Sequence, residues 1–203
     1  MKGNVYTLCF AAALGTVCAL LLTAAGGFTA PYRQANALAE ETVNVLKVLN
    51  VPFDMKAPAK ELLKVREENV REDSSTGQTV YIYAKPGAAA PEAVAMRFSG
   101  PGLWGPIKGL LALESDRRTI RGITFYEQEE TPGLGGEIAG EEFTGRFAGK
   151  AIIGADGKPG FEVAMPGSPQ AVNRVDGITG ATMTCDKVEA MLNTAIETFV
   201  KEK

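Results

Sequence analysis

Ile107-Lys-Gly-Leu-Leu-Ala-Leu113 and Arg118-Thr-Ile-Arg-Gly-Ile-Thr-Phe-Tyr126, joined by Glu114-Ser-Asp-Arg117, decide the fold of this chain. Each run is rich in residues that favour strands. The four polar residues between them are too few for anything but a tight reversal, so the pair reads as an antiparallel hairpin. Ile120, Ile123 and Phe125 take its buried positions. Outward towards the N-terminus lie the Gly- and Pro-rich segment 100–106, a strand over 93–98, a loop over 87–91 and a short strand over 80–83. A turn over 74–77 precedes them. Residues 64–73 carry seven charges in ten positions and read as a solvated face. Further back, Leu38, Thr42, Val45, Leu46 and Leu49 share one face of a helix over 33–50, which Pro52 ends. Towards the C-terminus come a Gly-rich loop over 131–136, a helical turn over 141–147 and a strand over 161–165. A final helix has Thr184 as its N-cap and Asp186 in its first turn. Its apolar stripe is Val188, Met191, Leu192, Ala195, Ile196, Phe199 and Val200. The fold class is α+β, an antiparallel sheet with helices packed on it.

The N-terminus has a different character. No charged residue occurs between Lys2 and Arg33. About 20 apolar residues cross a bilayer core as a helix, and this run is long enough. A cleaved signal peptide, with Lys2 as its positive end and Thr23-Ala-Ala-Gly-Gly27 as its cut region, satisfies the same composition. Either reading puts the rest of the chain outside the cytoplasm. Small residues at Ala11 to Ala13, Gly15 and Ala19 would let a neighbouring helix approach closely.

The chain has 203 residues and a net charge of −3, which bounds it to one domain with or without an appendage. Of its 21 basic residues all but Lys2 lie beyond the apolar run, 20 against 24 acidic, so no basic patch argues for nucleic acid. There is no histidine, which removes the commonest general base and the commonest metal ligand. The three cysteines, Cys9, Cys18 and Cys185, have neither zinc-finger spacing nor the pattern of a disulfide framework. Neither catalytic nor metal-ligating residues are assigned.

The functional signal lies in Asp176-Gly-Ile-Thr-Gly-Ala-Thr182, just before the last helix. Gly177, Gly180 and Ala181 carry almost no side chain, so a ligand can approach the backbone. A helix N-terminus offers unpaired N–H groups and a positive dipole end, which suit a phosphate. With Thr184 as the cap, the hydroxyl of Thr182 is free for other use. Trp104, the only tryptophan, stands in Gly102-Leu-Trp-Gly105 as a stacking surface for a planar group. The segment Glu130-Thr-Pro-Gly-Leu-Gly-Gly136 lacks the lysine of a phosphate-binding P-loop and reads as a loop that turns backbone N–H groups to a ligand.

These motifs resemble those of membrane-anchored FMN-binding domains. Asp176-Gly-Ile-Thr-Gly-Ala-Thr182 is similar to that family's flavinylation motif, in which a flavin transferase joins FMN through a phosphoester to the last Thr or Ser, here Thr182. Gly102-Leu-Trp-Gly105, Leu111-Ala-Leu-Glu114, Gly122-Ile-Thr-Phe-Tyr126 and Glu130-Thr-Pro-Gly-Leu-Gly-Gly-Glu137 resemble the C-type, FMN-binding subunit of the sodium-translocating NADH:quinone oxidoreductases. The G-type subunit of the Rnf electron-transport complexes shares the flavinylation and Thr-Pro-Gly-Leu-Gly motifs. The resemblance implies a transmembrane anchor over 1–32 and an extracytoplasmic FMN-binding domain over 33–203. It implies covalent FMN held by Asp176, Gly177, Ile178, Thr179, Gly180, Ala181, Thr182 and Thr184. Leu103, Trp104, Gly105, Glu130, Thr131, Leu134 and Gly135 would lie against it. The role implied is electron relay inside a membrane complex, from an iron–sulfur centre to a neighbouring FMN subunit, with the other subunits and the flavin transferase as partners. Where the family often carries a histidine two residues before the glutamate, this chain has Gln128. An Rnf-type subunit and an independent extracytoplasmic flavoprotein reductase are the other assignments these residues allow.

Overall fold

The computed structural model describes residues 2–74, 78–85, 87 and 90–201. Residues 75–77 of the turn expected over 74–77, and residues 88 and 89 of the loop expected over 87–91, lie outside the described residues. The chain divides into two compact units, Met1–Glu40 and Glu41–Lys203.

A single helix, α1 (Lys2–Val48), runs through both the apolar segment and the helix expected from residue 33. The sequence pattern predicts two helices there. Pro31 lies inside the continuous one, where it removes an N–H donor without ending the helix. The Thr29 hydroxyl donates to the Ala25 carbonyl, and Arg33 Nη2 to that of Gly26. The segment Asn4–Val48 is long and apolar enough to cross a membrane, and its large side chains, such as Leu8, Leu22 and Phe28, are exposed. An uncovered apolar helix of this length fits a single membrane anchor. Leu38, expected on the buried face, is exposed, whereas Thr42, Val45, Leu46 and Leu49 are fully buried.

In the second unit, five strands form an antiparallel sheet in sequence order: β1 (Val70–Asp73), β2 (Val80–Tyr83), β3 (Ala93–Pro101), β4 (Pro106–Glu114) and β5 (Ile120–Glu127). The opening hairpin is β4–β5, with Leu111 opposite Ile123. Ile120, Ile123 and Phe125 are buried as expected. The period-2 alternation of strands divides the side chains between two cores. Val94, Met96 and Phe98 of β3, and Ile107, Leu111 and Leu113 of β4, join the last helix on one face. Ala93, Ala95, Leu110 and Ala112 meet Val45, Leu46, Val48 and Leu49 on the other. Both faces of β4 are therefore covered, which is why its sequence is a nearly unbroken apolar run.

The charged stretch 64–73 divides between α2 (Ala59–Asn69) and β1. Val70 is the buried residue of this stretch, Leu62 is buried just ahead of it on α2, and Arg66 reaches Glu72 at 2.7 Å. Beyond the sheet come a 3₁₀ turn (Gly135–Ala139), a short helix α3 (Glu141–Thr144) and the strands β6 (Glu162–Ala164) and β7 (Arg174–Asp176). β6 and β7 pair in parallel, a small second sheet that the sequence pattern does not suggest. The last helix, α4 (Thr182–Lys201), buries the stripe Val188, Met191, Leu192, Ala195, Ile196 and Phe199.

Candidate functional site

The turn before α4 is held from both sides. The Gly177 amide donates to the Ala164 carbonyl at 2.7 Å, which docks the turn on β6. Arg146 Nη1 donates to the carbonyls of Asp176 and Gly177, each at 2.9 Å. The Ile178 amide meets Cys185 Sγ at 3.3 Å, and the Ala181 amide closes on the Ile178 carbonyl at 3.1 Å. Gly180 takes φ +80°, a conformation that glycine adopts without strain. Burial pushes the Cys185 thiol up, against a smaller opposing effect of the Ile178 amide.

The helix starts earlier than expected. Thr182 is its first residue, and Thr184 lies inside the first turn rather than capping it. The physical reason is a competing partner. Thr184 is buried, and its hydroxyl donates to Glu130 Oε2 at 2.6 Å. Thr182, in contrast, is exposed, and among the described residues its hydroxyl has no hydrogen-bond partner. It therefore stands free beside N–H groups that have no intrahelical acceptor.

Glu130 joins three parts of the site. It is only 5% exposed. Its Oε1 accepts from the amides of Leu103 at 2.7 Å and Trp104 at 3.3 Å, while Oε2 takes the Thr184 hydroxyl. Burial raises this carboxyl, but the donors outweigh burial and hold it below its usual value. Gln128 accepts the Glu130 amide on its side-chain oxygen at 2.7 Å. It thus shapes the loop that presents Glu130.

Thr182 sits on the border of two clefts. One, of ≈ 240 Å³, is lined by Leu103, Trp104, Glu130, Thr131, Leu134, Gly135, Gly180, Ala181 and Thr184. It adds Met183, which no sequence signal marks. The other, of ≈ 280 Å³, lies between Thr182 and the Ala164–Pro166 edge and includes Gly177, Ile178 and Thr179. A larger hollow of ≈ 570 Å³ contains Asp176 and runs towards Arg146 and Lys150, away from Thr182. Gly105 borders the open groove behind Trp104 rather than either Thr182 cleft. Arg146, which pins the turn, also escapes sequence reasoning, because it lies 30 residues from its nearer partner.

The residues present fit an FMN. An exposed hydroxyl at a helix N-terminus suits its phosphate, and Trp104, 70% exposed beside the cleft, offers an uncovered aromatic face. The Trp104 cleft is smaller than the usual range of about 300–1,000 Å³ for enclosed cofactor sites, so a ring placed there would keep much of its surface open.

Residues 102–197 match the family described as the FMN-binding domain. The chain is 36% identical over 124 residues to the C subunit of the Na(+)-translocating NADH-quinone reductase of Vibrio alginolyticus, covering 61% of this chain and 48% of that protein. The C subunit from Chlamydia trachomatis is 39% identical over 115 residues, covering 49% and 36%. The chain spans about half the length, or less, of these curated relatives. The crystal structure of the C subunit from Parabacteroides distasonis superposes with a TM-score of 0.70 at 28% identity, covering 84% of this chain and 94% of that one. Shewanella oneidensis NqrC shares the fold, with a TM-score of 0.66 at 20% identity over 82% and 98% of the two chains. Residues 102–197 thus match the FMN-binding domain family, and the chain is similar in sequence and fold to the C subunits of sodium-translocating NADH–quinone reductases.

Proposed function

We propose that this chain is the membrane-anchored, FMN-carrying electron-transfer subunit of a sodium-translocating NADH:quinone reductase, with FMN joined to Thr182 through a phosphoester. The observation that carries this reading is the exposed Thr182 hydroxyl, at the first residue of α4 and beside the cleft that holds Trp104. The flavin ring supplies one-electron redox chemistry when bound. The chain's own groups do the positioning. Thr182 fixes the phosphate end, the first turn of α4 neutralises its charge, and Leu103, Trp104, Thr131 and Leu134 border the ring. No side chain is asked to move a proton, in keeping with a chain that has no histidine.

An open cleft serves such a role, because an electron carrier has to bring its ring edge close to its redox partners. In this reading the part of α1 up to residue 32 anchors the chain in the inner membrane and residues 33–203 lie outside the cytoplasm. Electrons arrive from a membrane iron–sulfur centre and leave to a neighbouring FMN subunit. A membrane flavin transferase attaches the cofactor. The names of the relatives favour the quinone-reductase type over the Rnf type.

Mass spectrometry of the chain made with a flavin transferase is the direct test. The expected adduct is one FMN less one water, localised to the peptide containing Thr182. A wild-type chain without the adduct overturns the covalent reading. Purification from native membrane in mild detergent tests the complex, and a solitary flavoprotein overturns the subunit assignment.

A further inference from the structure

We infer that Glu130 is a positioning residue: its buried carboxylate is a strut that holds the Trp104 loop at a fixed distance from the helix end that carries Thr182. The loop and the helix end belong to segments distant in sequence, and Glu130 gathers three donors from them. Leu103 and Trp104 give their amides to one carboxylate oxygen, and Thr184 gives its hydroxyl to the other. Among the described residues, no lysine or arginine pairs with Glu130 in a salt bridge. A buried carboxylate without a cation is expensive unless donors replace its hydration. Here the donors come from the Trp104 loop and from the first turn of α4, whose dipole also favours the negative charge.

The glycines of both motifs fit this role. A Cβ on Gly102 would stand 2.5 Å from Glu130 Oε1, and one on Gly135 would stand 2.5 Å from Thr184 Oγ1 and 2.8 Å from Glu130 Oε2. A side chain at either position would force Glu130 or Thr184 to shift from this arrangement. These glycines therefore wall the slot of a carboxylate, and in the 130–136 loop, whose amides are expected to face a ligand, Gly133 donates to Glu137 Oε1 and Leu134 and Gly136 donate to the Thr131 carbonyl. The strut fixes the stacking surface relative to the tether. Its negative charge beside the cleft also disfavours added electron density on a ring bound there, so removing that charge makes the ring easier to reduce.

The first consequence stands independently of FMN, and the second rests on the function proposed above. Trp104 is the only tryptophan, so fluorescence excited selectively at tryptophan reports this loop alone. The test uses the full chain in detergent, prepared with and without flavin transferase, as wild type, Glu130→Gln, Glu130→Ala and Thr184→Val. Glutamine can accept the two amides and donate to Thr184, so it keeps the strut and loses the charge. The other two variants break the strut. Without FMN, Trp104 anisotropy falls in Glu130→Ala and Thr184→Val and stays at the wild-type value in Glu130→Gln. Anisotropy unchanged in Thr184→Val and in a folded Glu130→Ala overturns the strut. With FMN attached, the midpoint potential shifts upward in Glu130→Gln although the loop is held, a readout that a purely structural role would not move. An unshifted potential overturns the influence of the charge on the flavin. If wild type takes up no FMN, the proposed function fails while the anisotropy comparison still decides the strut.

Discussion

Thr182 and Thr184 are two residues apart and chemically identical, yet the fold gives them opposite uses. Thr184 is buried on Glu130, and Thr182 is left to solvent at the first position of α4. The motif makes Thr182 legible in the sequence. The capping role expected of Thr184 is not what the fold uses, because its real partner lies 54 residues away and no local pattern announces such a bond. Thr182→Ala should abolish the FMN adduct while changing stability by no more than about 0.5 kcal/mol, as expected for an exposed site without partners. Thr182→Ser should keep the adduct. Intact-protein mass spectrometry with a thermal melt checks both, and an adduct that survives in Thr182→Ala overturns the assignment. Glu130 supplies a pH prediction at the same scale. Its carboxyl is held below the ordinary value of 4.5 in the folded chain, so the unfolded chain binds a proton first as pH falls. The stabilisation is complete above about pH 5 and is lost as pH drops through the lower folded value. Urea midpoints measured between neutral and acid pH should fall less steeply below about pH 5 in Glu130→Gln than in wild type.

At the scale of elements, the strands and helices with strong periodicity are readable in the sequence and the weakly patterned ones are not. The β4–β5 hairpin and the apolar stripe of α4 follow from side chains that repeat at strand and helix spacing. β1 hides in a charged stretch because it is an edge strand in which only Val70 is buried, while Arg71 and Glu72 face solvent. β7 is three residues long and pairs with β6 in parallel, too short for any alternation to register. The continuity of α1 through Pro31 is likewise unreadable, since a proline normally marks a boundary. The joint between α4 and the sheet should dominate stability. Ile196 is fully buried in the core shared with Phe98 and Leu111, so Ile196→Ala should cost about 2–5 kcal/mol. Chemical denaturation of the detergent-solubilised chain measures it, and a loss well under about 1 kcal/mol would mean that α4 is not seated as described.

For the whole molecule, the two units answer to different solvents. Residues up to Glu40 expose large apolar side chains along a helix, whereas Glu41–Lys203 enclose two cores on the faces of one sheet. The first unit is consistent with a bilayer, and the proposed function places the second outside the cytoplasm. That placement is testable with one introduced thiol. Glu142 lies on α3 with its side chain 90% exposed, and its surface pair with Arg146 contributes little to stability. Of the native cysteines, Cys9 and Cys18 belong to the apolar helix, and Cys185 is buried with its thiol pushed up by burial, so it reacts slowly in the folded chain. Glu142→Cys should therefore give a clean signal over the wild-type background. In cells with a permeabilised outer envelope and an intact inner membrane, a membrane-impermeant maleimide should label this variant before lysis. Labelling that appears only after the inner membrane is broken would place Glu142 in the cytoplasm and overturn the proposed orientation.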